Sequence, residues 1–306
     1  MPNSATLDIG GKQVQVSNLN KVFYPKTGFT KGEVIDYYIK ISPVLLPHLH
    51  NRPISLKRYP DGVEGFFFYE KQCPEHRPKW MKTIKVDKSD GSDINYCAVN
   101  DLPALVWAAN LADLELHTFL HKAPALQRPT ALAFDLDPGA PADIVHCCEV
   151  GLMIRKIFDV LGLESFPKTS GSKGLQVYIP LNTAVTYERT KAFARAIAEL
   201  LEKHSPRLVL SRMQKNLRKG KIFVDWSQND DKKTTANVYS LRAKEHPTVS
   251  TPVAWKEVEA AVTRKKGLSF ETVDVLRRVA RMGDLFAPVL TKMQKLPAVK
   301  VLRQFE

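Results

Sequence analysis

The second half of the chain alternates short apolar segments with amphipathic helical segments, and this alternation most constrains the fold. Leu132 to Leu136, Gln176 to Leu181 and Lys221 to Asp225 have the length and apolar content of β-strands. Between them, Ala142 to Leu161 and Tyr187 to His204 carry apolar residues at helical spacing. Strands that alternate with helices predict a sheet flanked by helices, so we expect an α/β or α+β fold.

The rest of the chain adds further predicted elements. Thr6 to Val16 predicts a hairpin around Gly10-Gly11, and Lys31 to Leu46 predicts a helix. The other predicted elements are strands at Ile54 to Tyr59, Gly65 to Lys71 and Val238 to Leu241, a mainly helical segment from Leu102 to Leu120, and a helix from Phe270 to Met282 capped by Ser269. We expect one domain over 1–306, with an N-terminal lobe at about 1–128 and a second lobe at about 129–306.

Charge and cysteine content narrow the class of protein. The 306 residues include 45 Lys and Arg against 32 Asp and Glu, and the formal charge of +13 favours a polyanionic partner such as nucleic acid. The chain has neither a long apolar run nor a secretory signal, so we expect a cytoplasmic protein without a membrane span. The four cysteines form no C-x-x-C pair, and we expect reduced, buried thiols at Cys73, Cys97, Cys147 and Cys148.

Three aspartates carry the sharpest chemical signal. Asp135 and Asp137 are two residues apart on one predicted strand, so their carboxylates point to the same side while Phe134 and Leu136 face the core. Asp225 is the single acid at the end of another apolar strand, where burial would be unfavourable without a partner. If the two strands are neighbours, the three carboxylates can hold Mg²⁺ or Mn²⁺. The alternative is a pair of solvated aspartates where a strand leaves the sheet.

A loop rich in Ser and Gly predicts a phosphate-binding site. In the segment 168–174, the backbone N–H groups, Ser170, Ser172 and Lys173 can face an anion, although a strand follows where a P-loop would have a helix. Downstream, Arg242 can form a bidentate contact with a phosphate. A flexible basic turn and a structural Arg–carboxylate pair remain the alternatives.

Cationic and aromatic residues occur together in the first half. Lys57 and Arg58 lie on one predicted strand, Lys71 lies on the next, and the aromatic run Phe66 to Tyr69 lies beside them. Aromatic rings next to cations suit stacking on unpaired bases. Because side chains alternate along a strand, we expect at least two of the four rings in the core, with Phe68 and Tyr69 as the candidates for nucleic-acid contact. An entirely buried aromatic strand is the alternative.

The order of these segments resembles one known family. Phe134 to Gly139, Thr169 to Leu181, Val224 to Gln228 and Tyr239 to Arg242 follow one another as in the polymerase domain of bacterial ATP-dependent DNA ligase D, in the archaeo-eukaryotic primase superfamily. The similarity extends from Val16 to about Leu285 and is specific because it combines several motifs. It also includes the segments 17–22, 24–25, 68–72, 221–229 and 233–235.

The resemblance implies a primase-like fold with a small mixed catalytic sheet and flanking helices. It also implies a nucleotidyltransferase: a template-dependent polymerase that fills gaps and extends 3′ ends in non-homologous end joining and prefers ribonucleotides. Two divalent ions, Mn²⁺ rather than Mg²⁺, are the implied cofactors. The implied partners are DNA with breaks, gaps or 3′ overhangs, nucleoside triphosphates, a separate or fused DNA ligase, and Ku, with a nucleoid-associated location in the cytoplasm.

Some residue roles follow from the patterns above, and the resemblance alone implies the roles of His117, Gln176, Asn18, Lys21, Lys31 and Arg218. The expected catalytic residues are Asp135, Asp137, Asp225 and His117, and the three aspartates are the expected metal ligands. The expected nucleotide-binding residues are Ser170, Ser172, Lys173, Gln176, Gln228 and Arg242. The expected 5′-phosphate site consists of Asn18, Lys21 and Lys31. The expected contacts to template or primer are Lys57, Arg58, Phe68, Tyr69, Lys71 and Arg218.

One position departs from the family pattern. Gln176 stands where bacterial members commonly have His; glutamine keeps a donor and an acceptor but carries no positive charge. Two other functions remain open, a metal-dependent phosphodiesterase or nuclease and a non-catalytic module that bridges DNA ends. We expect either a stand-alone polymerase that works with a separate ligase or an excised domain.

Overall fold

The strand that carries Asp135 and Asp137 is the middle strand of a mixed five-stranded sheet in the computed structural model, which describes residues 3–87 and 91–305. The strands of the chain are β1 Ser4–Ile9, β2 Lys12–Ser17, β3 Val22–Tyr24, β4 Phe29–Thr30, β5 Ile54–Arg58, β6 Phe68–Glu70, β7 Thr83–Asp87, β8 Asp93–Cys97, β9 Asp113–Thr118, β10 His121–Lys122, β11 Ala125–Pro129, β12 Ala131–Pro138, β13 Phe166–Thr169, β14 Leu175–Pro180, β15 Val209–Leu210, β16 Ile222–Asp225 and β17 Thr235–Ala236. The helices are α1 Lys31–Leu49, α2 Leu102–Asn110, α3 Ile144–Val160, α4 Tyr187–His204, α5 Trp255–Arg264, α6 Thr272–Met282 and α7 Pro288–Thr291, with short 3-10 helices at Lys215–Leu217, Trp226–Gln228 and Val299–Phe305.

The described residues divide into two compact units that are not contiguous in sequence. The first unit takes in residues up to 124 together with 234–250 and 270–283, and the second takes in 125–233, 251–269 and 284 onward. The expected lobe boundary near residue 128 lies close to residue 124, where the chain first passes from the first unit to the second. The two expected lobes were each continuous in sequence, so residues 234–250 and 270–283 were not assigned to the first. In these segments β17 pairs with β9, and α6 contacts α1.

In the second unit, the mixed sheet has the strand order β13-β14-β12-β16-β15, antiparallel except for β15 and β16. Apolar residues of β12 face α3 and α4: the ring of Phe134 lies 6.0 Å from that of Phe158, which lies 6.2 Å from that of Phe193. The helices therefore cover the face opposite to the acids. This arrangement confirms the small mixed sheet flanked by helices.

In the first unit, the sheet has the order β17-β9-β5-β8-β7, with β6 also paired to β5. Helix α1 begins with a capping box between Thr30 and Glu33, and its inner face buries Tyr37, Tyr38 and Ile41. The hydroxyl of Tyr38 donates to the carbonyl of Leu114 at 2.6 Å, which joins α1 to β9. Among the described residues, no helix is both long and apolar enough to cross a membrane.

Several predicted elements are confirmed within a few residues, and others are wrong. The hairpin, α1, β5, β12, α3, β14, α4 and β16 are confirmed. The helix expected from Leu102 to Leu120 ends at Asn110, because Ala112 adopts a φ of +64° and the following residues pair with β5 as β9. No strand covers Val238 to Leu241, where Tyr239 has a φ of +64° and only Leu241 forms a bridge.

Smaller corrections concern a strand, a cap and a cysteine pair. The strand expected from Gly65 to Lys71 is limited to Phe68–Glu70, and α6 is capped by Glu271 rather than Ser269. Cys73 and Cys97, expected as free thiols, form a disulfide. The backbone N–H of Cys73 donates a hydrogen bond to the carbonyl of Asn95, which places Cys73 beside β8, the strand that ends at Cys97. Cys147 and Cys148 are free and buried, as expected.

Candidate active site

The three aspartates lie on one face of the adjacent strands β12 and β16. Asp135 lies directly opposite Asp225 in the antiparallel register, and Asp137 follows two residues along the same strand. Directly opposite residues of an antiparallel pair share a face of the sheet. The predicted proximity of the three acids is therefore present in the second unit.

The same register continues across four strands. Lys168 of β13 is opposite Gln176 of β14, and Gln176 is opposite Asp135. The residues Lys168, Gln176, Asp135 and Asp225 therefore form one cross-strand row, which we call the acid row. Lys168 is 1% exposed, and its ammonium lies 5.6 Å from the ring centroid of Tyr178.

Hydrogen bonds fix Asp225 more firmly than Asp135. Oδ1 of Asp225 accepts from the backbone N–H and the hydroxyl of Ser227 at 2.9 and 2.5 Å, and Oδ2 accepts from Nε2 of Gln228 at 3.0 Å. Asp135 accepts a hydrogen bond from the side chain of Gln176. Among the described residues, Oδ1 of Asp135 is shielded from solvent without a hydrogen-bond partner, as are Oε1 of Gln176 and Oε1 of Gln228.

Burial and like charge act together on Asp135. Burial and the charges of Asp137 and Asp225 together raise the pKa of this carboxyl to about 7, although the hydrogen bond from Gln176 and the charge of Lys168 act in the opposite direction. A carboxylate in this setting is stabilised by a cation placed between the acids.

The donor set suits a hard divalent ion, although the side chains do not converge on one point. Within residues 3–87 and 91–305, no group of three or more His, Cys, Asp or Glu side chains is arranged to hold a metal ion. The shielded, unsatisfied oxygen of Asp135 is nevertheless the kind of ligand that Mg²⁺ and Mn²⁺ take. The residues present therefore fit a divalent ion. Their carboxylate oxygens are suitable ligands, and a cation would stabilise the negative charges that repel one another.

The predicted phosphate-binding loop folds around the hydroxyl of Ser170. Its Oγ accepts from the backbone N–H groups of Ser172 and Gly174 at 3.2 and 3.1 Å, and its own N–H donates to the carbonyl of Gly174 at 2.9 Å. Gly171 has a φ of +68°, which favours glycine. Ser172 and Lys173 are exposed at the tip, so Ser170 shapes the loop while Ser172 and Lys173 are accessible to a ligand.

A buried carboxylate organises the predicted residues of the first unit. Oε2 of Glu115 lies 2.9 Å from Nε2 of His117, 3.2 Å from Nζ of Lys57 and 3.4 Å from Nε of Arg242. We call Glu115 with these three side chains the Glu115 cluster. Burial opposes the ionisation of Glu115, but the hydrogen bond from His117 and the charges of Arg242, His117 and Lys57 outweigh it and hold its pKa below the usual range. Arg242 and Glu115 therefore form the structural Arg–carboxylate pair that was the alternative to a phosphate contact.

The residues predicted to bind a 5′-phosphate surround the start of α1. The backbone N–H of Lys21 donates to the carbonyl of Asn18, and that of Lys31 donates to the carbonyl of Lys21. The ammonium of Lys21 pairs with Asp61 at 2.7 Å. Lys31 is buried, and burial together with the charges of Lys21 and Arg58 lowers its pKa to about 8.

The aromatic run lies at the surface, contrary to the expectation that at least two rings are core. Phe66, Phe67 and Tyr69 are 72, 46 and 52% exposed, and Phe68 is half-buried. The reason is that β6 covers only three residues at the side of β5, so the run has a sheet partner but no layer packed over it. The guanidinium of Arg58 lies 5.2 Å from the Phe68 ring, and Lys71 is exposed beyond the strand.

Arg218 lies in the loop before β16, as predicted, and its side chain packs against neighbouring residues of the second unit. Its guanidinium lies 3.9 Å from the ring centroid of Phe223, and an Nη atom donates to the carbonyl of Met213 at 3.1 Å. Its carbonyl approaches Gly139 so closely that a Cβ there would lie 1.8 Å away. Close packing therefore fixes this loop against the end of β12.

Sequence reasoning missed two residues of these sites, Glu115 and Lys168. Glu115 lies between Leu114 and Leu116, and Lys168 follows Phe166 and Pro167. A charged residue beside apolar neighbours is rarely buried without partners. That signal was available for both. Glu115 was overlooked because 113–118 was assigned to a helix, which would not place it on the same side as His117.

Comparisons with known proteins agree with this architecture. The profile of the LigD primase-polymerase domain family matches residues 30–286. The "Multifunctional non-homologous end joining protein LigD" of Mycolicibacterium smegmatis is 40% identical over 280 residues, which cover 91% of this chain and 36% of that protein. The "Bifunctional non-homologous end joining protein LigD" of Bacillus subtilis is 32% identical over 297 residues, which cover 96% of this chain and 47% of that protein. The chain thus spans less than half the length of these curated relatives.

A solved structure is similar over nearly its whole length. It is described as "Polymerase Domain from Mycobacterium tuberculosis Ligase D in complex with DNA". The TM-score is 0.85 at 37% sequence identity, and the match covers 92% of this chain and 99% of that chain.

Proposed function

Because the chain belongs to the LigD primase-polymerase domain family, and is therefore a nucleotidyltransferase, we propose that it adds nucleotides to the 3′ end of a DNA strand at breaks and gaps. The observation that carries the proposal is the acid row, in which Asp135 of β12 lies directly opposite Asp225 of the adjacent strand β16. Asp137 lies two residues further along β12. The likeness to a polymerase domain described in complex with DNA supports DNA as the partner. The formal charge of +13 is in keeping with a polyanionic ligand.

We propose that Asp135, Asp137 and Asp225 hold two divalent ions, Mn²⁺ in preference to Mg²⁺. Such ions would supply charge stabilisation for the attacking 3′-oxygen and the leaving pyrophosphate. The protein's own part is to hold the acids in place: Ser227 and Gln228 fix Asp225, and Gln176 fixes Asp135. Lys168 stabilises their charge from the far end of the row.

The nucleotide is held by the serine-glycine loop in the second unit. Ser172 and Lys173 are accessible for a triphosphate, and Ser170 fixes the loop that carries them by accepting from the backbone N–H groups of Ser172 and Gly174. Gln176 and Gln228 each have a shielded amide oxygen without a partner among the described residues, which can accept from a sugar hydroxyl. This chemistry supports our proposal that ribonucleotides are preferred to deoxyribonucleotides. In the first unit, His117 and Arg242 are proposed to contact a nucleotide.

Strand binding is proposed at the exposed aromatic run in the first unit. Phe68 and Tyr69 offer stacking surfaces, and Lys57, Arg58 and Lys71 are the cations nearby in sequence and strand register. Arg218 is proposed to position the primer. We propose that Ku and a DNA ligase, fused or separate, are the partners in end joining, because the relatives that the chain matches are named as end-joining proteins.

Incorporation on a gapped duplex tests the function. We expect a labelled ribonucleotide to be added opposite the template in a gap that carries a 5′-phosphate, faster than the matching deoxyribonucleotide and faster with Mn²⁺ than with Mg²⁺. A product that follows the template base shows templated synthesis. Strand shortening without any triphosphate would instead support a nuclease, and binding without either reaction would support a bridging module.

Stimulation by the 5′-phosphate should fall as the pH rises from about 7 to about 9. The pKa of Lys31 is lowered to about 8, so its ammonium loses the proton within this range and its attraction for a phosphate is lost. The measurement is the ratio of incorporation rates on phosphorylated and unphosphorylated gaps at each pH. Lys31→Arg should retain stimulation at high pH, because arginine stays charged. Lys31→Met should lose it at every pH, and a pH-independent ratio in the unaltered protein would exclude Lys31.

A further inference from the structure

The Glu115 carboxylate contacts more groups than a structural ion pair requires. Its side chain is 2% exposed, and Oε2 is shared by His117, Lys57 and Arg242 at 2.9 to 3.4 Å. Oε1 accepts from the backbone N–H of Ala243 at 3.0 Å and lies 3.4 Å from the hydroxyl of Tyr59. Two of these contacts hold the 242–243 segment, so one carboxylate sets the positions of a histidine, a lysine and an arginine.

The contact with His117 also fixes which ring nitrogen carries the proton. An ionised carboxylate only accepts hydrogen bonds, so Nε2 of His117 must be the donor at 2.9 Å. The neutral ring then has its lone pair on Nδ1, which can accept from a hydroxyl group. Without Glu115, neither tautomer would be selected by this contact.

The other side of the cluster joins the exposed aromatic run. The ammonium of Lys57 lies 5.2, 4.7 and 5.6 Å from the ring centroids of Tyr59, Phe67 and Tyr69. The Tyr69 ring meets the His117 ring edge-on at 5.8 Å. Lys57 and His117 are thus held between the rings and Glu115, so their placement depends on both.

We propose that Glu115 is a positioning residue, which holds His117 as the Nε2–H tautomer and orients Arg242 so that both can contact a nucleotide. The expected ligand group at Nδ1 is a sugar hydroxyl, and that at Arg242 is a phosphate. This inference rests on the proposed function for its ligand, but the effect of Glu115 on the tautomer and the pKa of His117 can be measured without a nucleotide.

The charge around His117 gives a readout that is independent of catalysis. Burial lowers the pKa of His117, Glu115 raises it, and Arg242 and Lys57 lower it again; the phenol ring of Tyr69 also lies against the imidazole. Removing the carboxylate charge in Glu115→Gln should therefore lower the pKa of His117 further. It should also replace the single tautomer with a mixture, because an amide can both donate and accept.

Nitrogen-15 NMR of the His117 ring and steady-state kinetics test the proposal together. For Glu115→Gln, we expect a lower pKa, a mixed tautomer, and a nucleotide KM raised about tenfold with little change in kcat, as when a charge-assisted hydrogen bond is lost. Glu115→Asp keeps the charge on a shorter side chain and should restore part of both effects. The matched control is Glu259→Gln, which removes the carboxylate from the surface pair with Arg155 and should change neither.

The outcomes separate this inference from the proposed function. An unchanged His117 spectrum in Glu115→Gln, or an unchanged KM in that folded variant, would overturn the role of Glu115. If the unaltered protein incorporates no nucleotide, the NMR data still decide whether Glu115 controls His117, and the proposed function alone fails. If Glu115→Gln does not fold, Glu115→Asp and the tautomer of His117 in the unaltered protein decide the question.

Discussion

Replacing Asp137 with alanine should lower nucleotide incorporation by at least about 1000-fold, the scale expected when a group that stabilises transition-state charge is removed. Asp137 lies two residues along β12 from Asp135 of the acid row, and its charge contributes to the raised pKa of Asp135. Its loss removes a proposed metal ligand and also relieves repulsion. We therefore expect the melting temperature without metal to stay the same or rise, while activity disappears.

Rates on the gapped duplex and thermal melting with and without Mn²⁺ measure this pair of effects. The unaltered protein should be stabilised by Mn²⁺, and Asp137→Ala should lose most of that shift. Asp159→Ala serves as the control, because it removes an exposed carboxylate of the same unit that pairs only loosely with Arg155 at 3.5 Å. If Asp137→Ala incorporates nucleotide within tenfold of the unaltered rate, the proposed role of Asp137 as a metal ligand is refuted.

Gly174→Ala should lower the free energy of unfolding by about 3 kcal/mol, because overpacking against backbone cannot be relieved by a side-chain rotation. A Cβ at Gly174 would lie 2.1 Å from the carbonyl oxygen of Leu136, on the strand that carries Asp135 and Asp137. The backbone of Gly174 also closes the loop through its two hydrogen bonds with Ser170. The clash therefore displaces the proposed phosphate-binding loop from β12, and we expect the nucleotide KM to rise at least about tenfold in any folded fraction.

Urea unfolding and nucleotide titration of the same preparations test this prediction. Gly162→Ala is the matched control: Gly162 has a φ of +70°, and no described atom lies within 4 Å of its added Cβ. It should lose only the backbone preference of glycine, about 1 kcal/mol, and keep its KM. Equal stability of the two variants would mean that the close approach at Gly174 does not limit the fold.

The sequence by itself determined the elements whose residues form a local pattern. The amphipathic spacing of Tyr187–His204 specified α4, and the apolar strand with Asp135 and Asp137 specified which face carries the acids. The loop from Ser170 to Gly174 was likewise recognisable from composition. These features could be predicted because helical and strand periodicities are properties of neighbouring residues.

The tertiary structure decided which distant residues meet and which segments are buried. The sequence pattern alone could not fix the pairing of Asp135 with Asp225, the disulfide of Cys73 with Cys97, or the exposure of the aromatic run, because each depends on strand register and on the layer above. The segment 113–118 alternates polar and apolar residues, but it directly follows the apolar residues of α2, so it was assigned to that helix, and only the structure shows that all six residues are buried. As a strand, this segment places Glu115 and His117 on one face, and its pairing with β5 is what makes it a strand. The local residue pattern does not specify that partner, because a strand gains its stability from the neighbours it packs against.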